Sequence, residues 1–78
     1  MKFLLLQTVV LDHDLPNSNL RKGDLGAIVQ IYEPDGLEVE FVSASGKTVA
    51  LVTLREGDVR AVSDGDLMAV RQQRDRSA

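Results

Sequence analysis

Apolar and polar residues alternate along most of this chain, most clearly from Leu25 to Tyr32 (LGAIVQIY). A period of two puts Leu25, Ala27, Val29 and Ile31 on one face of a strand and Gly26, Ile28, Gln30 and Tyr32 on the other. The pattern assigns the first set to the core. Gly26 inside the run marks a bulge or a close backbone approach. Leu37 to Ser43 (LEVEFVS) is a second alternating strand, with Leu37, Val39 and Phe41 inward and Glu38, Glu40 and Val42 outward. Lys47 to Leu54 (KTVALVTL) is apolar on both sides in its middle, Ala50 and Val52 included. Gln7 to Asp12 (QTVVLD) precedes these as a strand of mainly β-branched and aliphatic residues. Phe3 to Leu6 extends it or packs as an apolar lead-in. Asp58 to Val62 (DVRAV) is a short fifth strand.

Turn formers separate the strands. Glu33-Pro34-Asp35-Gly36 reads as a hairpin turn, because proline presets φ and Asp-Gly accepts left-handed positions. Ala44-Ser45-Gly46 and Lys22-Gly23-Asp24 are further turns, and Gly23 supplies a positive φ at little steric cost. Arg55-Glu56-Gly57 is a short break, read as one 3₁₀ turn. Asp12 to Lys22 (DHDLPNSNLRK) is the longest loop, with Pro16, Asn17, Ser18 and Asn19 as its turn formers. Leu15 and Leu20 are its expected anchors to the core, since a loop this long is unusual in so small a domain. Beyond Ser63 the only large apolar residues are Leu67, Met68 and Val70. One helical turn capped by Ser63 or Asp64 and an extra strand over Leu67 to Arg71 are both allowed. Arg71 to Ala78 (RQQRDRSA) has no apolar anchor and should fray. The expected domain is therefore residues 1–71, followed by a disordered tail over 72–78.

The order is strand, long loop, three consecutive antiparallel strands, a one-turn break and a short strand. An all-β chain of this size buries its apolar face by curling the sheet on itself. This order, with the KGD turn and the 3₁₀ break, resembles a small five-stranded antiparallel SH3-like barrel, here with a short irregular or helical C-terminal segment. Periodicity alone also allows an OB-like barrel or an open sheet. A closer resemblance rests on TVVLDHDLP (8–16), LRKGDLGAIVQIY (20–32), LEVEFVSASGKTVALVTL (37–54) and DVRAV (58–62). Together they resemble a family of small bacterial proteins known as a domain of unknown function, over about Leu6 to Arg71. The resemblance implies the same fold and brings no activity.

Composition narrows the function classes. Seventy-eight residues make one domain, and such a chain buries only about 60–65% of its unfolded surface, too little for a deep enclosed pocket. The core must be aliphatic, because Phe3, Tyr32 and Phe41 are the only aromatics. The absence of cysteine excludes disulfides, thiolate catalysis and cysteine-based zinc sites, and the reading leans to a reducing cytoplasm. The apolar run in MKFLLL is shorter than the ~7–15 residues of a signal peptide, and no stretch approaches a ~20-residue membrane span. The formal net charge is −3, so bulk electrostatics repel a phosphate backbone.

Each candidate site has a plain structural alternative. Asp12-His13-Asp14 holds the residue types of metal and proton chemistry. Its acidic neighbours point away from His13 in extended chain, however, and no second histidine exists for a common zinc site. It reads as the exposed start of a loop, and no serine forms a nucleophile pattern with it. Lys22-Gly23-Asp24-Leu25-Gly26 is similar to the start of RNA-associated KOW motifs. It lacks the GK[ST] and helix of a phosphate loop. The cations Arg21, Lys22, Lys47, Arg55 and Arg60 are few, Glu38 and Glu40 oppose them, and only Tyr32 is available to stack on a base. Proline-motif binding lacks its aromatic groove.

The surplus apolar residues opposite the presumed core, Ile28, Tyr32 and Val42, are the expected partner-binding residues. The structural alternative is that Phe3, Leu5, Leu67 and Val70 cover that face. The function read from the sequence is a non-enzymatic protein-interaction module, self-associating or bound to a bacterial protein. It carries no catalytic residue, metal or cofactor. A KOW-like RNA- or ribosome-associated module using Arg21, Lys22 and Arg55 is the first alternative, and an accessory subunit of an enzyme is the second.

Overall fold

The computed structural model describes residues 2–73. Five strands form one antiparallel sheet: β1 (Thr8–Leu11), β2 (Leu25–Tyr32), β3 (Gly36–Val42), β4 (Thr48–Arg55) and β5 (Val59–Ala61), in the order β4-β3-β2-β1-β5. β2, β3 and β4 form a meander. β5 returns to pair with β1, Val10 lying opposite Arg60. β4 and β5 are the two edges. The only helical elements among the described residues are 3₁₀ turns at Pro16–Ser18 and Glu56–Asp58. No helix among these residues is long and apolar enough to cross a membrane.

The core is aliphatic with two phenylalanines. Val9, Leu11, Ile28, Leu37 and Val39 are fully enclosed, with Phe3, Leu20, Phe41, Leu54 and Val59 around them. Leu15 and Leu20 anchor the long loop as expected. Leu20 is buried, and the two residues exchange backbone hydrogen bonds across the first 3₁₀ turn. Ala50 and Val52 of β4 also pack against the core.

β2 departs from the simple alternation. Ala27 pairs with Glu40 and Ile28 with Val39, but the next pair is Gln30 with Glu38. Val29 is thus an extra residue, a β-bulge, and each side chain beyond it changes face. Gly26 and Ile28 face the core before the bulge and Ile31 after it. Leu25 and Ala27 lie on the outer face, the reverse of the periodic assignment. Gly26 marks a close approach: a Cβ there would sit 2.6 Å from Val39 Cγ1 and 2.9 Å from Phe41 Cε1.

The hairpin at Glu33–Gly36 also differs from expectation. Its Glu33–Pro34 peptide is cis, and neither Asp35 nor Gly36 takes a positive φ. Tyr32 Cβ would stand 3.1 Å from a Cβ on Gly36, so closeness to Tyr32 is what suits glycine there. Gly23 and Gly46 do adopt positive φ, +98° and +88°.

The C-terminal segment is neither helix nor strand. After β5 it makes one turn, held by the Asp66 amide donating to Ser63 O, and runs on irregularly to Gln73. Its ends are fixed by charge. Arg71, expected to fray, is tied to Asp24 instead. Residues 74–78 of the expected tail lie outside the described residues.

Candidate functional site

The expected contact residues do not form one surface. Ile28 is 0% exposed and belongs to the core: the bulge at Val29 breaks the alternation, so Ile28 before it and Ile31 after it share the inner face. Tyr32 and Val42 are both exposed. They stand at opposite ends of β3, however: Tyr32 lies opposite Gly36, and Val42 is six residues further on. At about 3.3 Å per residue that is roughly 20 Å. Of the four residues expected to cover the outer face, Phe3 is buried in the core, while Leu5, Leu67 and Val70 are exposed.

Val42 belongs instead to a groove of about 530 Å³ between the sheet and the C-terminal segment. Leu25, Val42 and Val49 line it from the sheet, and Leu67, Met68 and Val70 from the segment. The segment acts as a strap. At one end the Arg60 guanidinium donates to both carboxylate oxygens of Asp66, at 2.9 and 2.8 Å. Asp66 also accepts the Ser63 amide at 2.7 Å. These donors, Arg60 first, hold the Asp66 carboxyl far below the usual carboxylate range.

At the other end Arg71 donates through Nε to Asp24 Oδ1 at 2.8 Å and through Nη2 to Asp24 Oδ2. Asp24 is further braced by the Arg21 amide at 2.8 Å. Partial burial pushes the Asp24 carboxyl up, but Arg71 and the Arg21 amide outweigh it and the net shift is downward. Bidentate guanidinium–carboxylate pairs fix orientation as well as distance. The Gln73 side-chain amide adds a 3.1 Å bond to Asn19 O.

These anchors place the strap across the sheet. Arg60 is on β5 and Asp24 immediately precedes β2, so the strap crosses β1 at Val10, which pairs with both neighbours. Val10 is buried yet outside the main core cluster, and it lines the same groove. Between the anchors the strap leaves its apolar side chains open to solvent at the groove's edge. Leu67 is 92% exposed, Met68 67% and Val70 98%.

The Asp12-His13-Asp14 cluster has a partner that local spacing does not reveal. His13 Nε2 lies 2.7 Å from Asp58 Oδ1, and Nδ1 lies 3.1 Å from Asp14 O. Asp58 Oδ2 accepts the Arg55 amide at 2.8 Å and so caps the second 3₁₀ turn. The Arg55 amide is the main reason the Asp58 carboxyl titrates below its usual range, with His13 helping against burial. The pair closes on backbone groups at both ends, so it works as a clip between the loop and the start of β5.

These geometries stand on a known sequence framework. The family described as a domain of unknown function (DUF4926) matches residues 5–61. The chain belongs to that family. No curated protein and no solved structure matches it. In this DUF4926 chain the matched span ends at Ala61, the last residue of β5, so the five strands lie within it and the strap follows it.

Proposed function

We propose that this DUF4926 chain is a non-enzymatic protein-interaction module built on an SH3-like barrel. It is read as a bacterial, cytoplasmic protein, from the resemblance and the lack of cysteine. The barrel reading is supported by the strand order, the long loop after β1 and the 3₁₀ break before β5. One observation carries the functional reading: the strap shows Leu67, Met68 and Val70 to solvent while both its ends are tied down. Apolar residues on a loose tail carry no such meaning. On a segment already held in place, part of the ordering entropy of binding is met before the partner arrives. Val42 and Leu25 extend the apolar surface across the groove. Two considerations support the non-enzymatic part: the His13–Asp58 pair is closed on backbone groups, and the core is too thin for an enclosed cleft. An RNA-binding reading has less support, because Arg55, Arg60 and Arg71 each face a carboxylate.

The test uses the full chain and the double variant Leu67→Ser/Val70→Ser. Both side chains are almost wholly exposed, so each change alters stability by no more than about 0.5 kcal/mol. Wild type and variant are compared as baits in the host's extract and by light scattering over a concentration series. The expected result is a protein, either another chain or further copies of this one, held by wild type and lost by the variant. Identical captured proteins and identical masses contradict the reading.

A further inference from the structure

His13 has hydrogen-bond partners that accept at both ring nitrogens. Nδ1 faces the carbonyl oxygen of Asp14, and Nε2 faces Oδ1 of Asp58. A backbone carbonyl only accepts, and so does an ionised carboxylate. Asp58 is ionised over the whole neutral range, since the Arg55 amide, His13 and Arg55 all hold its proton off. Both imidazole nitrogens must therefore carry hydrogen for both contacts to exist, which is the imidazolium state. Either neutral tautomer has one donor and must give up one contact.

The position of this contact gives it a consequence. His13 opens the loop from Asp12 to Asp24, and Asp58 ends the second 3₁₀ turn just before β5. The same loop carries the strap's far anchors, the Asp24 carboxylate and the Asn19 carbonyl. Two further bonds hold the loop: the Lys22 amide donates to Asp14 Oδ1 at 2.8 Å within it, and the Asp12 amide donates to Asp58 O at 2.9 Å, a backbone tie at the loop's first residue that does not depend on pH. The charged groups around His13 are Asp12 on its own loop and Asp58, backed by Arg55, on the facing turn. Two anions against one more distant cation favour the charged ring.

We propose that His13 is a proton-operated clasp, which holds the Asp12–Asp24 loop onto the second 3₁₀ turn when doubly protonated and slackens it when neutral. The loop, and through Asp24 and Asn19 the strap, are then tighter on the acid side of the His13 transition than on the alkaline side. The side chain is half exposed, so the effect is a graded loosening and not an unfolding. The clasp stands on its own geometry, whether or not the strap meets a partner.

The experiment follows the His13 Cε1 proton by NMR from about pH 5 to about pH 9 in wild type and Asp58→Asn. Amide protection factors at Ser18, Asn19, Leu20 and Lys22 are measured in wild type and His13→Gln. The expected wild-type midpoint lies above the ordinary 6.5, because Asp58, then Asp14 O, favour the charged ring, and Asp58→Asn brings it down. Protection of the four loop amides falls across that midpoint in wild type and shows no such step in His13→Gln. A wild-type midpoint at or below 6.5, a midpoint unmoved by Asp58→Asn, or loop protection that ignores the midpoint overturns the proposal. None of these readouts involves a binding partner, so failure here is separate from failure of the interaction reading.

Discussion

Val29 is the residue at which β2 changes face, and its consequences are measurable one side chain at a time. Ile28 and Val42 look alike in the alternating pattern, but one is enclosed and the other is exposed. Ile28→Ala should destabilise the protein by about 2–5 kcal/mol, the usual range for emptying a core site. Val42→Ser should stay within about 0.5 kcal/mol. Urea unfolding of the two variants checks the face assignment directly. Gly26→Ala drives a methyl into Val39 and Phe41 and should cost about 1–3 kcal/mol, as overpacking does. The need for glycine at position 26 is legible in the sequence, because a glycine inside an apolar strand has few other reasons to be there. The bulge is not. Leu25 to Tyr32 alternates without a break, and the extra residue shows only when β2 is set against the shorter run of β3.

At the level of elements, the strands were legible and their non-local ties were not. β2 falls on the residues its pattern marks, and the other four strands shift by one residue at each end. The strap could not be read in advance. Arg71 and Asp24 are 47 residues apart, and His13 and Asp58 are 45 apart; only the β5-to-β1 return brings either pair together. Two predictions belong here. Asp24 and Asp66 both titrate below the ordinary carboxylate value of 3.8. The strap should therefore stay clipped as pH falls through 3.8 and loosen only lower, where these carboxylates take protons. Amide exchange at Leu67 to Val70, normalised for its intrinsic pH dependence, checks this. The second concerns β4. It is an edge strand, and from Thr48 to Leu54 it carries no charge and no proline, so little discourages pairing with another strand. Leu51→Lys, at an exposed outward position, should reduce aggregation on heating, read as light scattering during a thermal ramp, with little change in stability.

On the scale of the whole molecule, two pH linkages overlap. A group whose pKa is raised by folding stabilises below its unfolded value and loses that effect as pH rises through the folded one. His13 is such a group. Asp24 and Asp58 are lowered, so their contribution is present above 3.8 and fades as pH falls through their folded values. All three act together between about 3.8 and about 6.5. The stability difference between wild type and His13→Gln should therefore be largest in that mildly acid window and shrink on the alkaline side. Urea unfolding at several pH values reads it.

The functional reading rests on a strap that holds apolar residues out in a fixed geometry, which a loose tail does not do. Backbone order parameters of Leu67, Met68, Ala69 and Val70 test that most directly. The account predicts values close to those of β2 and β3, about 0.85 for rigid backbone. Values below about 0.6, the range of flexible chain, would contradict it.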